Sequence, residues 1–267
     1  MANKFAGKVA VITGGSTGMG LATALLFVRE GMDHVFITGR RKDALDHAAA
    51  EIGTNVTAVP GDVANLSDLD HLYDAVKKLN RKIDVVFANA GISLLAPLDA
   101  VDEKFFDLHF DANVKGLFFT VQKALPLLND GAAIILNGSI ATIKGFPATS
   151  VYSASKAAVR SFARTWTSEL RERRIRVNVI SPGYTDTPLL EAWKQGEALA
   201  KLKEEMTNSV PLGRMGNSDD IAKAFRSLHP MKRATSPASN SSSMAASPRF
   251  ETVAETEYFV PFTPSTH

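Results

Sequence analysis

Six short apolar runs, separated by stretches with helical spacing, constrain this chain more than any other feature. They are residues 8–13 (KVAVIT), 34–38 (HVFIT), 56–59 (VTAV), 83–88 (IDVVFA), 132–137 (AAIILN) and 176–180 (RVNVI). Short, nearly continuous apolar runs suit strands buried on both faces, as parallel sheets require. Helical stretches fill the gaps. Residues 21–30 end at Gly31, a polar helix runs through Ala50, and residues 66–79 place Leu66, Leu69, Leu72, Val76 and Leu79 on one side. The helical period resumes after Glu103 and runs to Leu128 with a break near Asp111, and a long helix covers 152–171. Parallel neighbours need crossover connections, and right-handed crossovers put helices on both faces. The expected fold class is therefore α/β: a single domain with a doubly wound parallel β-sheet and helices on both faces.

Composition narrows the function. The 267 residues suffice for one large core. The formal charge of +2 is spread along the chain, and only Arg171, Arg173, Arg174 and Arg176 approach a basic stripe, so no nucleic-acid partner is expected. With no cysteine there is neither a disulfide framework nor a thiolate metal site, and the histidines are too scattered for a metal centre. Residues 1–8 hold no apolar run of signal or membrane-spanning length. The expectation is a cytoplasmic protein, without membrane contact, acting on a small molecule.

The loop Thr13-Gly14-Gly15-Ser16-Thr17-Gly18-Met19-Gly20 lies directly between a strand and a helix. Gly14, Gly18 and Gly20 permit a tight turn and close backbone approach, while free N–H groups at the helix start can face a pyrophosphate. The spacing is G-x-x-x-G-x-G rather than the G-x-G-x-x-G fingerprint, and the Lys-Ser/Thr pair of a P-loop is missing. A glycine-rich turn without a ligand is the alternative. The second strand closes on Thr38-Gly39-Arg40-Arg41 with no carboxylate before Asp43. A carboxylate there would bond the adenosine 2′-hydroxyl, whereas arginine accommodates a 2′-phosphate, so NADP is favoured over NAD. Arg40 and Arg41 could equally be solvated surface residues. Asp62 could accept the adenine amino group with Val63 as an apolar edge, or could cap the helix beginning near Leu66. Asn89-Ala90-Gly91 ends the fourth strand with small residues that let backbone pass close to a ribose, although Gly91 could serve the turn alone.

Tyr152-Ser153-Ala154-Ser155-Lys156 sets a phenol and an amine one helical turn apart on one face. Ser139 ends the fifth strand, where the sheet presents side chains to the same crevice. An ammonium beside a phenol favours the phenolate, and a pyridinium-bearing cofactor would push the same way. Tyr152 then becomes a general acid for carbonyl reduction and a general base for alcohol oxidation. Ser139 would hold the substrate oxygen, and Lys156 could also bond the nicotinamide ribose. A Tyr-x-x-x-Lys pair by itself is usually surface decoration; its position after a parallel strand, in a chain with a glycine-rich first turn, lifts it above that.

Together, the TGGSTGMG loop, Asp62, Asn89-Ala90-Gly91, Asn113, Ser139, Tyr152, Lys156 and Pro182-Gly183 resemble the short-chain dehydrogenase/reductase family over about residues 7–225. The resemblance implies a Rossmann-type fold, an NADP(H)-preferring oxidoreductase with NAD also possible, and a carbonyl or secondary alcohol substrate. It implies a catalytic tetrad of Asn113, Ser139, Tyr152 and Lys156, with Asn113 holding a water of a proton relay beside a local break in its helix. Pro182-Gly183 would turn against the nicotinamide, with Thr185 and Thr187 near the carboxamide or pyrophosphate. Residues 184–206 look like the mobile substrate lid, and a homotetramer is the family expectation. Ile140, Ile143, Phe146, Tyr184, Leu189, Leu190 and Trp193 suggest a mainly apolar pocket. His109 is assigned only a core or surface role.

Residues 1–225 thus form the dinucleotide-binding and catalytic domain, and residues 226–267 depart from the family. That stretch holds SPASNSSSMAASPRF, Pro230, Pro237, Pro248, Pro261 and Pro264 without an apolar period, a composition of linkers and poorly ordered tails. Family members instead end in a last strand with a Thr-Gly…Val-Asp-Gly-Gly pattern. Shifting suitable codons for residues 235–239 back one base yields Tyr-Val-Thr-Gly-Ile, and the same shift over residues 244–248 yields Asp-Gly-Gly-Ile-Ala. The expectation is a frameshift just before Ser227 that removes the last strand, exposes a new sheet edge and disturbs a subunit interface. A catalytically impaired or non-catalytic dinucleotide-binding protein on the same fold is the rival reading; intact Ser139, Tyr152 and Lys156 argue against it. Epimerases and dehydratases of this fold want an extra sugar-nucleotide domain that the length scarcely permits.

Overall fold

The computed structural model is described over residues 4–228. Its central sheet has six strands: β1 (Val9–Thr13), β2 (His34–Gly39), β3 (Val56–Pro60), β4 (Ile83–Ala88), β5 (Leu128–Asn137) and β6 (Arg176–Ile180). Their order is β3-β2-β1-β4-β5-β6, and every pairing is parallel. The chain moves outward from β1 to β3, then crosses back to start β4 on the other side of β1. That reversal opens a crevice beyond the carboxyl ends of β1 and β4, where ligands of doubly wound sheets bind.

The pleat divides the core into two layers. Along β1, Val9 and Val11 point to one face and Ala10 and Ile12 to the other, all fully buried. The first face is covered by α3 (Leu66–Lys78), α5 (Leu117–Ala124) and α6 (Ser150–Glu169), through Leu69, Leu72, Val76, Leu117, Val121, Val159 and Trp166. The second is covered by α1 (Gly18–Arg29), α2 (Lys42–Ile52) and α8 (Ser218–Leu228), through Phe27, Leu45, Ala48, Ile221 and Phe225. Phe225 stands edge-on to Phe87 of β4 and Phe27 of α1, with ring centroids 4.6 and 5.6 Å apart. Burying a ring of this kind contributes on the order of 1.5–3 kcal/mol, which ties α8 to the sheet.

Several boundaries differ from the sequence reading. Helix α1 begins at Gly18, not at residue 21, because its glycines take up the first turn. Strand β5 begins at Leu128, four residues early, and its pairing with β4 is irregular between Ile83 and Val85. The expected break of the helical period near Asp111 is there, as a change of helix type and not a stop. Helix α4 (Glu103–Phe110) widens into a π-helical turn over Asp111–Gly116 and passes straight into α5. Helix α8 runs to Leu228, past the expected limit of regular structure at Phe225. After β6, the two-residue strands β7 (Thr185–Asp186) and β8 (Gly216–Asn217) pair in parallel and enclose α7 (Gly196–Ser209). Of the tail expected from residue 226, residues 226–228 continue α8, and the rest, 229–267, with the expected lost last strand, lies outside the described residues. Among the described residues no helix is long and apolar enough to cross a membrane, and no His/Cys/Asp/Glu group could hold a metal ion.

Candidate active site

The glycine loop links β1 to α1 at the crevice. Gly14 and Gly18 have φ of +65° and +56°, a region that side chains other than glycine rarely adopt. Gly20 faces a different constraint: a Cβ there would lie 2.1 Å from the Gly14 carbonyl oxygen. Gly15 N–H donates to the Thr38 carbonyl, so β2 fixes the loop from below. Ser16 packs against Gly39, where a Cβ would meet its Oγ at 2.8 Å. Thr17 occupies the N-cap of α1 without capping it, and Met19 lies within the first turn. Uncapped N–H groups at a helix N-terminus are suited to an anion.

Asn89 holds this loop to β4. Its Nδ2 donates to the carbonyls of Thr13 (3.0 Å) and Gly14 (3.1 Å), and the N–H groups of Asn89 and Ala90 donate to Thr13 Oγ1. Gly91 is more than a turn residue, since a Cβ there would lie 2.8 Å from Asn113 Oδ1 and 3.5 Å from Lys156 Nζ. Arg40 and Arg41 are exposed at the end of β2, and Arg40 lies 3.9 Å from the Asp62 carboxylate. Asp62 does not cap α3, which corrects one of its two readings: Asn65 does, its side chain accepting from Ser67 N–H. The Asp62 carboxylate turns back to accept from Ala64 N–H at 3.0 Å. Val63 is buried, and both its side chain and its carbonyl pack against Gly116 of the π-turn.

On the opposite wall, Tyr152 lies in the first turn of α6 and faces Ser139, close enough for that hydroxyl to act on its phenol. Ser139 ends the β5 segment, and its Oγ accepts from Ala141 N–H at 3.1 Å. Lys156, one turn along, is only 4% exposed; its Nζ donates to the Asn137 carbonyl at 2.7 Å and lies 6.0 Å from the Tyr152 ring centre. Burial pushes the Tyr152 phenol above its usual range, partly opposed by the Ser139 hydroxyl. Burial also pushes the Lys156 amine down to about 8. Removing either group from water disfavours its charged form, so the two shifts run in opposite directions from one cause.

Asn113, fully buried in the π-turn, accepts from Ile92 N–H at 2.8 Å and donates to the Ile92 carbonyl (2.9 Å) and Ser155 Oγ (3.0 Å). π-turns inside α-helices recur at functional sites because they re-aim one side chain. Asn113, Ser139, Tyr152 and Lys156 therefore stand around the crevice as a group. Two polar residues not singled out from the sequence join them. Asn137 reaches Asn89 Oδ1 at 3.1 Å while its carbonyl holds Lys156, and Ser155 joins Asn113 to the Tyr152 carbonyl. A polar residue closing the apolar run AAIILN was the available signal for Asn137.

The residues expected to line an apolar pocket are spread over the β5–α6 connection and the segment after β6. Phe146 and Tyr184 have ring centroids 6.1 Å apart, Ile143 and Leu189 are partly exposed, and Leu190 is buried. Ile140 N–H donates to the Pro182 carbonyl, and Gly183 passes next to the Ile140 side chain. Thr185 lies in β7, and Thr187 with Pro188 approaches Gly18, so the segment after β7 meets the glycine loop. Lys203 of α7 pairs with Asp186 at 2.7 Å. Within the arginine stretch, Arg173 binds Asp130 and the carbonyls of Leu125 and Leu128.

A doubly wound parallel sheet with a glycine loop after its first strand, and Ser139, Tyr152 and Lys156 across the crevice, defines a Rossmann-type fold. The chain belongs to the short chain dehydrogenase family, whose model matches residues 8–198. It is 45% identical over 221 residues to the oxidoreductase asL5 of Sarocladium schorii, covering 82% of this chain and 86% of that one. It is 35% identical over 224 residues to the 3-oxoacyl-[acyl-carrier-protein] reductase FabG of Thermotoga maritima, covering 82% and 89%. Among solved structures, the 3-ketoacyl-(acyl-carrier-protein) reductase of Brucella melitensis complexed with NADH superposes with a TM-score of 0.77 at 29% identity, over 85% of this chain and 92% of that one.

Proposed function

We propose that this protein is an NADP(H)-preferring oxidoreductase acting on a carbonyl or secondary alcohol, with Tyr152 as the group that gives and takes the proton. The observation that carries this reading is the buried Tyr152 phenol facing Ser139, with buried Lys156 Nζ 6.0 Å from its ring centre, beside the crevice at the strand ends. The residues present fit a dinucleotide: an uncapped helix N-terminus behind a glycine loop, and exposed arginines where the second strand ends. The loop Gly14, Ser16, Thr17, Gly18, Met19 and Gly20 would hold the pyrophosphate, and Arg40 and Arg41 the 2′-phosphate. Asp62 and Val63 would meet the adenine, residues 89–91 the riboses, and Pro182, Gly183, Thr185 and Thr187 the nicotinamide side. When bound, the nicotinamide supplies or accepts the hydride.

This chain's own residues handle the oxygen and its proton. Ser139 orients the substrate oxygen by a hydrogen bond. Tyr152, kept protonated by burial, donates a proton to that oxygen as it gains charge and recovers one in the reverse direction. A charged Lys156 stabilises the phenolate left behind, and Asn113 holds the segment beside it for a water relay. The apolar side chains expected to line the pocket favour a hydrophobic substrate. The NADH-bound reductase neighbour and the relatives named as reductases support this direction of reading.

We propose, further, a cytoplasmic homo-oligomer, with the tail from Ser227 onward arising from the one-base shift read in the sequence. The deciding assay follows NADPH and NADH oxidation by the chain against a panel of ketones and aldehydes. Faster NADPH turnover, with a preference that shrinks in Arg40→Ala, is the expected result. A folded chain that takes up neither dinucleotide on titration ends the reading.

A further inference from the structure

The hydrogen bonds of residues 92–94 alternate as in an extended strand, in which neighbouring residues turn their backbone groups to opposite sides. On the helix side, Asn113 takes both polar backbone groups of Ile92, and Leu94 N–H donates to His109 Nε2 at 3.1 Å. On the other side, the Ser93 carbonyl accepts from Trp193 Nε1–H, in the lid, at 2.6 Å. His109 and Asn113 are one turn apart on the same helical column.

His109 is fully buried, its ring packed against Phe105 at a centroid distance of 4.6 Å. Its Nδ1 lies 2.9 Å from the Phe105 carbonyl. A carbonyl at one nitrogen and an N–H at the other are both satisfied by one arrangement alone: the proton on Nδ1 and the lone pair on Nε2. A leucine of similar size would fill the space but leave Leu94 N–H buried without an acceptor. Asn113 and Lys156 flank Gly91, so the strap of residues 92–94 leaves directly from the catalytic group.

We propose that His109 is a positioning residue for the reaction: with Asn113 it fixes residues 92–94, and through the Ser93 carbonyl it fixes the seat of Trp193, coupling lid seating to the catalytic wall. This rests on the oxidoreductase reading above. The test compares His109→Leu, His109→Gln, whose amide oxygen can still accept from Leu94, and Trp193→Phe, all in the full chain. Hydrogen–deuterium exchange is read in peptides covering 92–96 and 188–195. KM and kcat are read with NADPH and ethyl acetoacetate as probe, and NADPH affinity by titration.

His109→Leu is expected to speed exchange about tenfold in both peptides and to raise KM about fivefold, with NADPH affinity unchanged. His109→Gln should restore both, and Trp193→Phe should loosen 92–96 from the lid side. In the double variant the two effects should fall short of multiplying, as coupled residues do. Unaltered lid exchange in His109→Leu, a glutamine no better than leucine, or fully multiplicative effects would each overturn the coupling. If His109→Leu fails to fold, exchange in 92–96 of Trp193→Phe decides alone: wild-type protection there overturns the proposal. Absence of turnover in the unmodified chain with every carbonyl tried defeats the oxidoreductase reading instead, and the exchange results still judge the coupling.

Discussion

The two walls of the crevice are built in opposite ways. The glycine-loop wall is made by leaving side chains out: Gly14 and Gly18 take a left-handed backbone, and Gly20 has no room for a single carbon. The Tyr152 wall is made by burying polar side chains and bonding them to one another and to nearby backbone, through Asn113, Ser155, Asn137 and Lys156, with only the Asn137 Oδ1 among these left without a protein partner. Asn89 joins the two, bonded to Thr13 and Gly14 on one side and accepting from Asn137 on the other. The first wall should fail when volume is added, and the second when a single polar atom is taken away.

The sharpest way to break that contrast removes one oxygen. Tyr152→Phe keeps the ring and should lower turnover at least ~100-fold while dinucleotide affinity holds; near-normal turnover would take the phenol out of the mechanism. Adding one carbon on the other wall comes next. Gly20→Ala must push the Gly14 carbonyl away, so dinucleotide affinity should drop about tenfold and stability by about 1–3 kcal/mol, read by titration and denaturant unfolding. An unchanged affinity would mean the loop is not the dinucleotide wall. The smallest effect is in pH. Reduction leaves Tyr152 negative, a charged Lys156 favours that state, and the amine is charged below about 8. The reduction rate should therefore decline as pH rises through about 8, and Lys156→Met should abolish that limb while lowering the plateau. A limb that persists in the methionine variant belongs to another group.

Much of the architecture was legible along the chain. The apolar runs named β1, β4 and β6 to within a residue, because strands buried on both faces leave no choice of residue type. Tyr152 and Lys156 were readable as a pair because helical spacing alone puts them on one face. The break in the helical period near Asp111 was legible too, but not its form: the chain widens into a π-turn there, and an extra residue per turn breaks the period without stopping the helix. His109 was read as a core or surface residue, because a histidine among phenylalanines gives no hint of a backbone N–H fifteen residues earlier. Asp62 offered two roles from its position, and the choice fell to Asn65, which sits one residue before α3.

By itself, then, the sequence determined what depends on near neighbours: strand and helix type, the glycine turn, the phenol–amine spacing and the βαβ order. Tertiary structure alone decided the partnerships made across long stretches of chain, such as Asn89 with Thr13, Asn113 with Ser155, and Trp193 with Ser93 a hundred residues away. It also decided the proton affinities of Tyr152 and Lys156. The reason is physical: periodicity is a local property of the backbone, while burial and hydrogen-bond partners exist only once separate elements have packed together.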